Sequence, residues 1–166
     1  YRLSQVAPYP AAVQDCWAAV KWIRAHAAEL NVDPTRMAVQ GGSAGGHLAL
    51  MMAFMEPEEE GIDNYFVCVA AKNPPTDFTA DDQMHAEPAL VAFMGAPREQ
   101  APERYREASP VTYLSPDDPP VFLVHGTQDR TVPYHQALVL QAALQRAGIE
   151  HELVTIEGAD HGLRGG

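Results

Sequence analysis

The 166-residue sequence has few basic residues and contains no long apolar run. No apolar stretch approaches the roughly 20 residues of a membrane-spanning helix, so we expect no membrane span. The N-terminus has neither the basic start nor the apolar stretch of a signal peptide, and the compartment stays open. Lys and Arg number 11 against 22 Asp and Glu, a net charge of −11. This acidic balance disfavours nucleic acids and anionic lipids as partners.

Cysteine is also scarce. Cys16 falls on a predicted helix and Cys68 on a predicted strand, both within apolar patterns. We expect two buried thiols rather than a disulfide.

The seven histidines show no metal-ligand spacing, so we expect no metal and no cofactor. The length and the 46% hydrophobic content suit one globular core, and we expect a single domain over residues 1–166.

Helical and strand patterns alternate along the chain. Apolar residues spaced three and four apart predict a helix from Pro10 to about Asn31, on the face of Val13, Cys16, Val20, Ile23, Ala27 and Leu30. Further helices are predicted at 47–54 and at 134–147, where Gly148 is a good C-cap. Short apolar runs predict strands at 37–39, 66–71, 121–124 and 153–156.

Continuous apolar strands alternating with helices predict an α/β fold. We expect a mostly parallel sheet of about four strands, with helices on both faces. Residues 74–120 are rich in Pro, Asp and Glu, and are expected to form an inserted segment of loops and short helices over the active-site end of the sheet.

Between the first predicted strand and the next helix lies the run Gly41-Gly42-Ser43-Ala44-Gly45. A serine hydroxyl is a weak nucleophile unless a base takes its proton, and a sharp turn presents it without crowding. The turn needs small residues two positions before and two positions after the serine, where we expect no Cβ to fit. Gly41 and Gly45 meet this requirement. The Ala44 N–H, at the positive end of the helix, is the expected oxyanion donor. A G-x-S-x-G match between strand and helix favours a nucleophile over a glycine-rich connector with an incidental serine.

A base and an acid follow later strands. His161 comes after the fourth predicted strand and Asp129 after the third. The order Ser, Asp, His is the one expected in this architecture, and all three follow the carboxyl ends of strands. We assign His161 as general base and acid, and Asp129 as the group that holds its tautomer.

Other candidates fit these roles less well. Asp160 neighbours His161, but adjacent loop side chains usually diverge. Asp117 and Asp118 precede a strand and therefore lie at the wrong edge of the sheet. His47, on the helix behind the nucleophile, and His125, at a strand end, are interpreted as structural. The remaining histidines are interpreted as surface or loop residues: His26, His85, His135 and His151.

Several motifs together resemble a known superfamily. They are Tyr1-Arg2-Leu3-Ser4, Pro10-Ala11 with Asp15-Cys16, Asp33-Pro34-Thr35-Arg36, Gly42 to Leu48, Pro75-Thr76-Asp77-Phe78, Ala108-Ser109-Pro110-Val111, His125-Gly126-Thr127 with Asp129, and Gly158 to Gly162. The chain resembles the α/β-hydrolases, and is most similar to carboxylesterases of the hormone-sensitive-lipase and feruloyl-esterase-like (BD-FAE) type. The resemblance implies a triad of Ser43, Asp129 and His161.

The chain departs from this family at its front. Family members have additional strands ahead of the Tyr-Arg-Leu segment, and a His-Gly-Gly-type loop among them supplies further oxyanion donors. We therefore expect an N-terminally truncated fold, its C-terminal half, with an incomplete oxyanion hole. The strand near 37–40 would have an open edge unless residues 1–3 lie beside it. Such an edge favours pairing between copies, and we expect a homo-oligomer.

These observations favour a serine esterase that hydrolyses small carboxylic esters through an acyl-enzyme. The alternatives are a catalytically weak or silent hydrolase-fold remnant that acts in assembly or binding, and a prolyl-oligopeptidase-like serine peptidase. Four residues of the inserted segment are candidates either to line an acyl pocket or to pack in the core: Met84, Leu90, Phe93 and Met94.

Overall fold

The structure, a computed structural model, describes residues 1–55, 66–80 and 88–165. The elements in chain order are α1 (Ala11–Ala25), α2 (Ala27–Leu30), β1 (Met37–Gly42), α3 (Ala44–Phe54), β2 (Phe66–Lys72), α4 (Pro88–Met94), α5 (Pro102–Glu107), a 3₁₀ turn (Pro110–Thr112), β3 (Val121–Gly126), α6 (His135–Ala147) and β4 (His151–Ile156). No helix among these residues is long and apolar enough to cross a membrane.

The four strands form one sheet in the order β1-β2-β3-β4, and every neighbouring pair is parallel. Because all four run the same way, their carboxyl ends meet along one edge. The predicted α/β class and the parallel sheet of four strands are confirmed.

One face of the sheet carries the main core. Val69, Leu123 and their neighbours pack against Leu50 of α3 and Leu140 of α6. On the other face Phe122 is 41% exposed and Cys68 is exposed as well. In the part of the chain that the structure describes, the helices packed on the sheet cover the face of Val69 and Leu123 and leave the face of Phe122 and Cys68 open. Helices were expected on both faces. The reason is that α1 packs on α3 instead of on the second face.

The prediction that both thiols are buried is wrong for Cys68. Successive side chains of a strand point to opposite faces, and Cys68 lies on the uncovered one, opposite Ala38 of β1. Cys16 is partly buried on α1, and both cysteines are free.

The first predicted helix is divided in two. α1 ends at Ala25 because His26 leaves helical geometry, with φ −107° and ψ 16°. The His26 ring donates from Nδ1 to the Trp22 carbonyl at 2.8 Å and stacks on the Trp22 ring. α2 then ends at Leu30, and the next residue, Asn31, has a left-handed φ of 53°. Leu30 is 44% exposed, so the apolar face predicted for this segment is buried only as far as Ala27.

Helix α3 supports the first strand end. Residues 46–54 of α3 are all buried, as expected of a helix that is apolar on every side. It packs on β1 and β2, and Met51 and Leu48 extend the core to Val13 of α1. The residues that begin α3 are therefore held by core packing on two sides.

Candidate active site

Ser43 occupies a sharp turn between β1 and α3. Its backbone has φ 54° and ψ −124°, a conformation that non-glycine residues rarely adopt and that persists only when the surroundings enforce it. The Ser43 N–H donates to the Lys72 carbonyl at 2.8 Å, and the Ser43 carbonyl accepts from the His47 N–H at 3.0 Å. These bonds tie the turn to β2 and to the first turn of α3.

Two glycines make this turn possible. A Cβ on Gly41 would overlap the Gly45 carbonyl oxygen, and one on Gly46 would lie 3.1 Å from the Gly41 carbonyl oxygen and from Pro74 Cβ. A Cβ on Gly45 would meet nothing within 4 Å. The expectation that no Cβ fits at Gly45 is therefore wrong. The crowding falls on Gly41 and Gly46, and Gly45 contributes the carbonyl that Gly41 must avoid.

The structure brings Ser43, His161 and Asp129 together. His161 Nε2 lies 2.9 Å from Ser43 Oγ, and His161 Nδ1 lies 2.7 Å from Asp129 Oδ2. The other Asp129 oxygen accepts the N–H groups of Thr131 at 2.8 Å and Val132 at 2.9 Å. A carboxylate only accepts, so Nδ1 donates to Asp129 and Nε2 is left to accept the Ser43 proton.

Ala44 is the first residue of α3 and lines the cavity beside Ser43. The first N–H groups of a helix have no partner within it, and the positive end of the helix dipole favours negative charge there. The Ala44 N–H therefore belongs to the first turn of α3 beside Ser43, and its role as an oxyanion donor stays a prediction.

The rejected carboxylates are occupied elsewhere. Asp160 Oδ1 accepts the N–H groups of Gly162 at 2.8 Å and Arg164 at 3.0 Å, and these backbone hydrogen bonds lower the pKa of Asp160. Asp117 and Asp118 precede β3, away from the carboxyl ends of the strands, and Asp118 accepts the Ser115 N–H at 2.8 Å.

His47 and His125 are buried and bonded to backbone. His47 donates from Nε2 to the Ala108 carbonyl at 2.7 Å, and burial lowers its pKa to about 4. His125 donates from Nε2 to the Val132 carbonyl at 2.9 Å, and burial lowers its pKa as well. His85 lies outside the described residues. Among those described, no cluster of His, Cys, Asp and Glu could hold a metal ion.

A cavity of about 480 Å³ opens at Ser43. Its apolar wall is formed by Leu48, Phe78, Leu90, Phe93 and Val132. Of the four pocket candidates, Leu90 and Phe93 line this cavity, Met94 is fully buried in the core, and Met84 lies outside the described residues.

Residues 1–4 also border the cavity. Arg2 forms a bidentate ion pair with Asp15 of α1, with Nη2 and Oδ1 2.7 Å apart. The N-terminal segment is thus bound to α1, and β1 pairs with β2 alone among the described strands.

One side chain at this edge was missed by sequence reasoning. Asn73 directly follows β2, is fully buried, and donates from Nδ2 to the His161 carbonyl at 2.6 Å. Its position between a predicted strand and Pro74-Pro75 was the available signal.

A parallel sheet with a serine in a strand-to-helix turn, and with Asp and His after later strands, defines the α/β-hydrolase class. Within that class the chain belongs to the BD-FAE family, which matches residues 1–144.

Individual relatives agree with this family. The chain is 35% identical over 149 residues to the probable carboxylic ester hydrolase LipM of Mycobacterium tuberculosis, covering 82% of this chain and 34% of LipM. It is similar to a solved truncated carbohydrate esterase from gut microbiota, with TM-score 0.82 and 25% identity; the match covers 98% of this chain and 65% of that one. It is also similar to the butyrate-bound Est2 esterase of Thermogutta terrifontis, with TM-score 0.70 and 31% identity; the match covers 90% of this chain and 55% of that one. The chain spans about a third of the length of the curated relatives it matches.

Proposed function

We propose that this chain is a serine esterase that hydrolyses small carboxylic esters through an acyl-enzyme. The observation that carries the proposal is the continuous hydrogen-bonded path from Asp129 through His161 to Ser43 Oγ, at 2.7 and 2.9 Å, beside an open cavity. We further propose that residues 1–166 belong to a single domain, with residues 74–120 as an inserted segment.

In the first half-reaction Ser43 Oγ attacks the ester carbonyl carbon, and its proton passes to His161 Nε2. Asp129 stabilises the resulting imidazolium through its bond to Nδ1. The carbonyl oxygen becomes an oxyanion, to which the Ala44 N–H donates. The tetrahedral intermediate collapses when the ester C–O bond breaks and His161 returns the proton to the leaving alkoxide. An acyl group is then esterified to Ser43.

In the second half-reaction water attacks the acyl-enzyme and gives its proton to His161. The new intermediate collapses, and the proton returns to Ser43 Oγ as the carboxylic acid leaves. We assign one oxyanion donor, the Ala44 N–H.

The cavity supports a small acyl group with an apolar surface. Phe78, Leu90 and Phe93 supply aromatic and aliphatic walls next to Ser43. Esters also make a lesser demand on His161 than amides, since an alkoxide leaves without the full protonation that an amine requires. The solved relative with bound butyrate is consistent with a short acyl chain.

The test is hydrolysis of p-nitrophenyl acetate, butyrate and octanoate by the wild type and by Ser43→Ala. We expect turnover that falls to background in Ser43→Ala, and a burst of p-nitrophenol equal to one enzyme equivalent if deacylation is slower than acylation. A folded wild type without turnover would favour the silent binding scaffold instead. Preferential cleavage of aminoacyl amides over esters would favour a peptidase.

We also propose that copies of this chain associate through the outer edge of β1. The support is that β1 pairs with β2 on one side only among the described strands, and unpaired strand edges favour further pairing. Size-exclusion chromatography with light scattering should show a dimer or larger assembly. A monomer at micromolar concentration would contradict this proposal without affecting the esterase assignment.

A further inference from the structure

The His161 base must reach back across the sheet. Ser43 follows β1 at one edge, whereas His161 follows β4 at the other edge. Neighbouring strands lie about 4.8 Å apart, so β1 and β4 are separated by about 14 Å. The loop after β4 therefore has to cross β3 toward β1 before its imidazole can meet Ser43 Oγ at 2.9 Å.

Asn73 is located where this crossing loop passes the end of β2. Its Nδ2 donates to the His161 carbonyl at 2.6 Å, and its Oδ1 accepts the Gly126 N–H at 3.3 Å. Gly126 is the last residue of β3, three positions before Asp129. One amide group thus joins the loop that carries the base to the strand end that leads to the acid.

The amide has one orientation that satisfies both partners. If oxygen and nitrogen were exchanged, the NH₂ group would face the Gly126 N–H and the oxygen would face the His161 carbonyl. The backbone of Asn73 is fixed as well. It has a left-handed φ of 45°, which Asn tolerates better than most residues, and its N–H donates to the Val124 carbonyl at 2.8 Å.

Two further hydrogen bonds between the loops that follow β3 and β4 involve residues before His161 in the chain. The Gly158 N–H donates to Thr127 Oγ1, and the Gln128 N–H donates to the Ala159 carbonyl, each at 2.9 Å. They hold the start of the crossing loop over β3. Asn73 contacts the backbone of the base residue itself, next to the Cα that directs its imidazole.

We propose that Asn73 is a positioning residue for His161. It holds the His161 backbone in the position from which Nδ1 contacts Asp129 and Nε2 contacts Ser43 at the same time. This inference rests on the proposed esterase function, since the alignment matters for a base that must take the Ser43 proton. Asn73 touches no reacting atom and is not itself catalytic.

The test compares Asn73→Ala with Thr76→Val on p-nitrophenyl butyrate. Thr76 is a buried polar residue of the same loop, and its Oγ1 donates to the Gln136 carbonyl at 2.7 Å, away from His161. Misplacing a catalytic group by about 1 Å can cost about 10²-fold, so we expect Asn73→Ala to lower kcat by about 10- to 100-fold with KM changed by less than about threefold. Thr76→Val should be comparably destabilised in urea yet keep kcat within about threefold.

A conservative variant sharpens the readout. Asn73→Asp keeps an acceptor for Gly126 but places a carboxylate against the His161 carbonyl, and a negative charge there favours the imidazolium. We expect the acid limb of its kcat/KM profile to move to higher pH, which loss of stability alone would not produce. An Asn73→Ala kcat within twofold of wild type, or an equal loss of kcat in folded Thr76→Val, would overturn the proposal.

A proton NMR measurement separates this inference from the esterase assignment. The Nδ1 proton shared by His161 and Asp129 should give a downfield resonance in the wild type, and Asn73→Ala should shift or broaden it. If this occurs while the wild type hydrolyses no ester, the function is refuted and the positioning role stands. If the wild type hydrolyses esters but the resonance is unchanged in Asn73→Ala, the positioning role is refuted.

Discussion

Ser43 Oγ and His161 Nε2 lie 2.9 Å apart although 118 positions separate the two residues in the chain. Ser43 reaches this position through a turn that strains its own backbone, and His161 through a loop that crosses the sheet. The contact therefore depends on the packing around both residues, and substitutions that disturb either one should lower kcat.

Asp129→Asn should lower kcat by about 10³–10⁴-fold while the protein remains folded. The Asn oxygen can still accept the Thr131 and Val132 N–H groups, but an amide cannot stabilise the imidazolium. Kinetics on p-nitrophenyl butyrate measure the loss. Asp160→Asn is the matched control, and its kcat should stay within about threefold of wild type, because Asp160 accepts hydrogen bonds from the backbone N–H groups of the turn that follows it. Equal losses in the two variants would contradict the assignment of Asp129.

Gly41→Ala should destabilise the protein by about 3 kcal/mol, because its Cβ would overlap the Gly45 backbone, which core packing prevents from moving. Gly45→Ala should change the free energy of unfolding by no more than about 1 kcal/mol, since its Cβ enters open space on a helix. Urea denaturation of both variants decides this. Equal tolerance of alanine at the two positions would show that the turn is looser than described.

Leu90→Trp should shorten the range of esters accepted. The larger side chain would occupy part of the cavity, so kcat/KM for the octanoate should fall about tenfold relative to the acetate. Ala92→Trp, on the exposed side of the same helix, controls for a general effect on α4. An unchanged chain-length profile in Leu90→Trp would place the acyl group elsewhere.

Stability should fall as the pH drops from 6.5 to 4, in part because of His47. Its pKa is about 4 in the folded protein and about 6.5 when unfolded, so in this range the unfolded state binds a proton that the folded state does not. The contribution is complete above pH 6.5 and is lost toward pH 4, a change on the order of 3 kcal/mol. Buried His125, whose pKa is also lowered, acts in the same direction.

Urea denaturation at several pH values measures this dependence. His47→Gln keeps an amide donor for the Ala108 carbonyl but does not titrate, so its stability should vary less between pH 6.5 and 4. His135→Gln, at an exposed position, is the control. An identical pH dependence in wild type and His47→Gln would show that His47 is not the group responsible.

The sequence predicted the parallel sheet and the strand ends that carry Ser43, Asp129 and His161. Strand periodicity and the rule that sites follow carboxyl ends are local signals, and they are strong here. The catalytic roles of the three residues stay a prediction until the variants are measured.

Other features depended on contacts that no local pattern encodes. The exposure of Cys68 follows from α1 packing on α3. A continuous apolar strand has the same sequence pattern whether helices cover one face of the sheet or both. The break at His26 arises within an otherwise regular helical pattern. Asn73 gains its partners from residues 53 and 88 positions away, which only the assembled sheet brings near.

The free thiol of Cys68 on the uncovered sheet face also has a practical use. Its rate of alkylation by a small maleimide should report the occupancy of that face, because any body packed on the sheet would shield the sulfur from the reagent. Ser43 lies at the strand ends rather than on this face, so labelling there would leave the hydroxyl untouched. Coverage of the sheet can thus be followed separately from turnover.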